Sequence, residues 1–132
     1  VLYATAPTAG IKLNADLGNK PKLKDITFRT ASLSKFAVSN ATELVLKDSN
    51  ADAIAVEFDN IPAKQAYGYI TSRANKTVTS ITLKNIAFSE KNLVDMINKL
   101  ETRNGTLKVK GELLTTAVNA ALSAKGWTGA AL

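Results

Sequence analysis

The chain has 132 residues, of which 45% are hydrophobic, enough for one domain with a buried core. It contains neither cysteine nor histidine, which excludes disulfide bonds, Ser-His-Asp and Cys-His nucleophiles within the chain, and the usual zinc ligands. Seventeen basic and 11 acidic residues give a net charge of +6, but the lysines are scattered and aromatic residues are few, a pattern that disfavours nucleic-acid binding.

The N-terminal segment, residues 1–22, is predicted to be an extended arm. Residues 1–10 combine Ala, Thr and Pro, and they offer few side chains that could anchor them. Ile11 and Leu13 alternate as in a strand and could form a first, capping strand. We therefore place the domain proper at residues 23–132.

Alternating apolar residues predict strands over residues 22–59, and turn-forming Ser, Asn and Asp residues separate them. One set of apolar pairs is predicted to form a parallel ladder on the concave side of the fold: Phe36 and Val38, then Val56 and Phe58. The interleaved set is predicted to form short return strands on the opposite side: Ile26 and Phe28, then Leu44 and Leu46.

From Pro62 onward the return segments are predicted to be helices. The first helix has one apolar face, formed by Tyr67, Ile70 and Ala74. Ser89 is predicted to cap the second helix, which is ended by Asn104 and Gly105 and buries Leu93, Met96, Ile97 and Leu100. A third helix is predicted over residues 112–124. Trp127 is expected to close the C-terminal end of the core.

An eight-residue segment recurs four times. Its fourth and sixth residues are apolar, and its eighth is asparagine in three copies and glycine in the last. The copies run from Leu33 to Asn40, from Ala53 to Asn60, from Val78 to Asn85 and from Asn104 to Gly111. They begin roughly 20 to 26 residues apart, a period that is typical of solenoids. The pattern predicts an α/β fold: a short right-handed leucine-rich-repeat solenoid with a parallel β ladder, return strands in the N-terminal half and helices in the C-terminal half.

The chain resembles the leucine-rich repeats of bacterial cell-surface proteins, in particular the irregular type found in gut Bacteroidetes. The resemblance covers roughly residues 33–128 and is most specific over 92–103, 105–109 and 124–128. It implies a protein-interaction or surface-display role, with no catalytic residues, at an extracellular or cell-surface location. Any export signal or anchor is expected to lie outside this sequence.

The residues between the buried positions of the ladder form a candidate ligand-binding concave face. It is acidic in the middle and basic toward its C-terminal end, with these candidate residues: Glu57, Asp59, Thr82, Lys84, Lys108 and Lys110. An anionic ligand is expected near the three lysines, and Asp59 and Lys84 are expected to be cross-strand neighbours. An ordinary solvated face of mixed charge is the alternative interpretation. In a second register, Glu43, Val45 and Lys47 would replace Lys35, Ala37 and Ser39 on this face.

The sequence thus predicts a non-catalytic domain without metal or cofactor. Its predicted partner is a protein or an anionic macromolecule. No apolar run of about 18 residues is present, so no membrane span is expected. A self-assembling structural subunit, in a filament, an envelope layer or a virus particle, is the alternative. In that case the N-terminal arm would pair with the edge of a neighbouring copy.

Overall fold

The structure is a computed structural model that describes residues 2–16, 25–41, 45–46, 52–72 and 74–132. Side chains are described for residues 34–41, 53–72 and 74–132. The strands and helices follow one another in this order: β1 (Leu2–Asp16), β2 (Asp25–Ser39), β3 (Val45–Leu46), β4 (Asp52–Asp59), α1 (Ala63–Thr71), β5 (Ser80–Lys84), α2 (Glu90–Lys99), β6 (Gly105–Val109), α3 (Thr116–Ala124) and β7 (Trp127–Ala131). The fold is of the α/β class.

The described strands form one parallel sheet in the order β1-β2-β4-β5-β6-β7, and β3 pairs with β2 outside this path. From β4 to β6, each strand pairs with the next strand along the chain, and a helix lies in each connection. Parallel neighbours require such crossovers, because the chain must return to the end of the sheet at which the previous strand began before it enters the next strand.

The pairing register of the central strands confirms the predicted one. Phe36 pairs with Val56, Val56 with Ile81, and Ile81 with Leu107, so one apolar position of each repeat forms a continuous row. All four side chains are at most 1% exposed. Burying a large apolar side chain stabilises the fold by about 1.5–3 kcal/mol, so the row specifies the register strongly. Phe36, and not Leu46, is the partner of Val56 in this ladder, while Glu43, Leu44 and Lys47 of the second register lie outside the described residues.

The three helices pack on the face of the sheet that carries this row. Each contributes apolar residues to the same core: Ala66, Tyr69 and Ile70 from α1, Leu93, Met96 and Ile97 from α2, and Val118 and Leu122 from α3. Tyr69, which was not among the residues assigned to the apolar face of the first helix, is 5% exposed and meets the rings of Phe36 and Phe58 edge-on. Tyr67, predicted to be buried, is instead half-buried on the outer side of α1.

Three helix boundaries differ from the prediction. The first helix, α1, ends at Thr71, so Ala74, which was predicted to lie on its apolar face, is instead buried in a separate 3-10 turn over Ala74–Lys76. Ser89 caps α2 as predicted, since its hydroxyl accepts from the Asn92 N–H at 3.1 Å, but α2 ends at Lys99 rather than near residue 103. The third helix begins at Thr116, not at residue 112. Its N-cap is Thr115, whose hydroxyl accepts from the Val118 N–H, and a separate 3-10 turn occupies Gly111–Leu113.

The N-terminal third differs more. Ile26 and Phe28 belong to the same strand as Phe36 and Val38, so the predicted separate return strand is wrong at this position. Ile26 does pair with Leu46, while Leu44 and the predicted domain boundary at residues 22 and 23 lie outside the described residues. Residues 2–16 form β1 along β2, with Leu2 opposite Ile26 and Leu13 opposite Phe36.

A strand that the sequence did not predict, β7, completes the other edge of the sheet. Its first residue, Trp127, is 3% exposed and lies opposite Gly105. A Cβ at Gly105 would come within 2.6–2.7 Å of the indole, so only glycine leaves room for the ring. Trp127 therefore closes this end of the core, as expected, but from within the sheet.

Candidate binding face

The sheet has a second face, opposite the helices, which we call the open face. Its residues alternate with the buried row along β2, β4, β5 and β6, as expected for a pleated strand. They are half-buried or exposed and carry small, hydroxyl or charged side chains: Lys35, Ala37, Ser39, Ala55, Glu57, Asp59, Ser80, Thr82, Lys84, Thr106 and Lys108. Five of the six predicted site residues are thus together on this face, and Lys110 follows directly after β6.

Glu57 lies at the centre of the open face and bridges two lysines from neighbouring strands. Its Oε2 is 2.9 Å from the Lys35 ammonium on β2, and its Oε1 is 2.7 Å from the Lys84 ammonium on β5. The Glu57 side chain is 27% exposed. One carboxylate therefore links three adjacent strands, which gives it a structural role beyond any contact with a ligand.

The same contacts set the ionisation of these groups. The hydrogen bond from Lys84 lowers the pKa of Glu57 below its ordinary value of 4.5; the hydrogen bond from Lys35 adds to the effect, and partial burial opposes it. The hydrogen bond to Glu57 in turn raises the pKa of Lys84 above 10.5. At neutral pH this cluster is a lysine–glutamate–lysine bridge with both signs of charge.

Asp59 does not pair with Lys84, although the two residues are opposite each other in the β4–β5 register as predicted. The Asp59 carboxylate instead accepts from the Asn85 amide, at 2.8 Å. Asn60 makes a similar contact one strand over, donating to the Asn40 side-chain oxygen at 3.2 Å. The side-chain amides of Asn60 and Asn85 thus donate to side chains that lie one strand away.

The repeated asparagine has a backbone role that the sequence pattern did not reveal. Asn40, Asn60 and Asn85 each follow the last residue of a strand and have φ of 56°, 55° and 51°. This left-handed conformation is uncommon outside glycine, and asparagine adopts it more readily than most residues. The turn lets the Asn40 N–H donate to the Asp59 carbonyl and the Asn60 N–H donate to the Lys84 carbonyl. Gly111, in the fourth copy, instead begins a 3-10 turn.

The basic end of the candidate site is partly neutralised within the chain. Lys110 pairs with Glu112 at 2.8 Å, with both side chains well exposed, and Lys84 is held by Glu57. Within the described part of the chain, Lys108 makes no ion pair. The predicted cluster of three lysines therefore presents one unpaired ammonium, which favours a partner of mixed polarity over a highly charged polyanion.

A cavity of about 500 Å³ adjoins this end of the open face. Its walls are largely apolar, with Lys84 and Lys110 among the lining residues, which are Leu83, Lys84, Asn85, Ile86, Ala87, Lys110, Leu113 and Leu132. Leu132 is 54% exposed. The open face thus ends in an apolar recess that could receive a protruding side chain of a partner.

The connections behind the strands are held by polar residues that sequence reasoning missed. Asn75 donates to the Lys99 carbonyl and accepts from the Glu101 N–H, both at 2.8 Å. The Arg103 guanidinium donates to the carbonyls of Val78 and Asn75, at 2.9 and 2.7 Å. Asn75 and Arg103 bond main-chain atoms some 25 residues away. The side-chain pattern of the sequence therefore does not predict these hydrogen bonds. The recurrence of polar residues just before each strand was the only available signal.

Two carboxylates of the open face are engaged within the chain. Glu57 is paired with two lysines, and the Asp59 carboxylate accepts from the Asn85 amide. Among the described residues, no group of three potential metal-ligating side chains occurs. None of the described helices has the length and apolar character needed to cross a membrane.

Comparison of the chain with protein-family models, with curated proteins and with solved structures finds no match in any of the three.

Proposed function

We propose that this chain is a non-catalytic leucine-rich-repeat domain that binds a protein or another macromolecule through its open face. The observation that carries the proposal is the asymmetry of the sheet. Helices pack on one face, whereas the other presents Ala, Ser and Thr side chains around the Lys35–Glu57–Lys84 bridge. Small side chains let a partner approach the strands closely, and the fixed charges would orient it.

The repeat geometry supports the leucine-rich-repeat part of the proposal. Equivalent apolar residues of successive copies pair directly, and a left-handed asparagine ends each of the first three copies. Direct pairing is what we expect of stacked solenoid units, because each unit buries its apolar face against its neighbour. The left-handed asparagine ends the strand at the same point of each of these copies. On the resemblance noted above, we place the domain at the surface of a bacterial cell or outside it.

Binding by wild-type protein and two arginine variants tests the proposal. Thr82→Arg places a bulky cation at the centre of the open face, and Ser123→Arg makes the same change at an exposed position of α3. Each immobilised protein is exposed to surface and secreted macromolecules of the source organism, and the bound species are quantified by mass spectrometry. We expect partners that wild type and Ser123→Arg retain but Thr82→Arg loses. Loss by Ser123→Arg alone, or identical binding by all three, would rule out the open face.

The alternative, a self-assembling structural subunit, has one observation in its favour. β1 is a 15-residue strand at the edge of the described sheet, and a long edge strand is a template for pairing with another chain. Its pairing with β2 means that the arm would act as a sheet edge rather than as a free segment. Light scattering across concentration separates the two functions. A constant monomer mass supports the binding domain, and growth into large particles supports assembly.

A further inference from the structure

A second cavity, of about 400 Å³, lies on the helical side of the molecule between α1 and α2, away from the open face. It is lined by Ala63, Lys64, Tyr67, Phe88, Asn92 and Asp95. The walls therefore combine two aromatic residues with an amide, a carboxylate and an ammonium. A pocket of this size accommodates a ligand of one or two rings.

Tyr67 is held in a fixed position at this cavity. Its hydroxyl donates to Asp95 Oδ2 and accepts from the Lys99 ammonium, each at 2.5 Å. Two hydrogen bonds between α1 and α2 thus pre-orient an aromatic ring at the wall of the cavity, which lowers the entropy that a ligand must overcome on binding.

Polar groups with spare hydrogen-bonding capacity surround this ring. The contacts of Asp95 use only Oδ2, which leaves Oδ1 as an acceptor. The hydrogen bond from Tyr67 lowers the pKa of Asp95 below 3.8, so the carboxylate is ionised at neutral pH. Within the described residues, the side-chain amide of Asn92 and the ammonium of Lys64 make no hydrogen bond. An acceptor, an amide that both donates and accepts, and a cationic donor therefore line one cavity.

We propose that this cavity binds a carbohydrate of one or two pyranose rings. Sugar hydroxyls donate and accept at every ring position, which matches the mixture of groups at Asp95, Asn92 and Lys64. The C–H face of a pyranose packs on aromatic side chains, here Tyr67, with the buried Phe88 beneath it. One carboxylate and one ammonium give the lining no net charge, which suits a neutral ligand, and a single carboxylate offers too few oxygens for a divalent cation.

The proposal is independent of the open face and is tested on the whole chain by NMR. Maltose, cellobiose and lactose are titrated separately, with sorbitol as a polyol that lacks a pyranose face, and backbone amide shifts are followed. At least one disaccharide is expected to shift residues of α1 and α2 that line the cavity, with a Kd on the order of millimolar, and sorbitol to bind more weakly. If none of the three disaccharides shifts these residues, the proposal is wrong.

Two variants locate the site. Asn92→Ala removes a side chain that makes no described hydrogen bond, so the fold should persist, and it is expected to weaken binding about tenfold. Asn98→Ala makes the same change at an exposed position of α2 outside the cavity and is expected to bind as wild type does. Equal affinity of Asn92→Ala and wild type, or shifts confined to the open face, would overturn the assignment.

Discussion

The ammonium of Lys84 lies 2.7 Å from Glu57, although the residue directly opposite Lys84 in the sheet is Asp59. The ion pair is therefore diagonal, and Oδ1 of the Asp59 carboxylate accepts from the Asn85 amide. Glu57 also holds Lys35, so the charge at the centre of the open face is fixed by three strands together.

Glu57→Gln is expected to lower stability slightly at neutral pH and to have no effect in acid. The pKa of Glu57 is lower in the folded chain than in the unfolded chain. As the pH falls, the Glu57 carboxylate is therefore protonated first in the unfolded chain. The stability it contributes is therefore present above pH 4.5 and lost as the pH falls through the folded pKa. Thermal unfolding should give a Tm lower by roughly 1–3 °C at pH 7, and the gap should narrow as the pH falls below 4.5.

Glu112→Gln is the matched control, because Glu112 has a single lysine partner and is more exposed. It should change the Tm less than Glu57→Gln does. A gap between wild type and Glu57→Gln that stays constant from pH 7 to pH 3 would argue against the bridge.

Gly105→Ala is expected to destabilise the protein by about 1–3 kcal/mol, because the new methyl group would overlap the Trp127 ring. Trp127 is the only tryptophan, so its fluorescence reports both the displacement of the ring and denaturant unfolding. Gly68→Ala serves as the control. Gly68 lies inside α1 with nothing within 4 Å of an added Cβ, and alanine there should stabilise by about 0.5–1 kcal/mol. Equal effects of the two substitutions would refute the packing argument.

The left-handed asparagines predict a specific order of stabilities. Asn60→Ala should lower the free energy of unfolding by about 1–2 kcal/mol, because alanine is strained at a φ of 55°. Asn60→Gly removes the same hydrogen bond to Asn40 but accepts this φ, so it should cost less. Urea unfolding of both variants measures the difference. A glycine variant that is no more stable than the alanine variant would contradict backbone strain at this φ as the main contribution.

Arg103→Lys is expected to cost about 1–2 kcal/mol despite keeping the charge. The planar guanidinium reaches the carbonyls of Asn75, Lys76 and Val78 at once, and a lysine ammonium cannot reproduce this fork. Urea unfolding tests the loss, and native-state hydrogen exchange should show faster opening of residues 74–78. A lysine variant as stable as wild type would mean that these bonds add nothing net.

The sequence predicted the fold best where apolar side chains repeat. Phe36, Val56, Ile81 and Leu107 were assigned to one row, and they pair in that register because a slip by one residue would expose the whole row. The sequence did not predict β7, since Trp127 is followed by small residues that lack the alternation of a strand.

Side-chain partners were predicted less well than side-chain positions. The pattern placed Glu57, Asp59 and Lys84 on one face but did not predict the diagonal ion pair, because alternation along a strand says which face a side chain is on and not which neighbour it contacts. The exchange of Tyr67 and Tyr69 has a similar cause. Both fit a helix, and only the position of the Phe36 and Phe58 rings determines which tyrosine is buried.

Site-specific photocrosslinking tests most directly whether the open face binds a macromolecule. A photoreactive residue is placed at Thr106 on the open face or at Ala120 on the exposed side of α3, and each protein is irradiated with surface and secreted macromolecules of the source organism. We expect a discrete crosslinked product from position 106 and none from position 120. Equal products from both positions, a product from position 120 alone, or none from either would contradict binding at the open face.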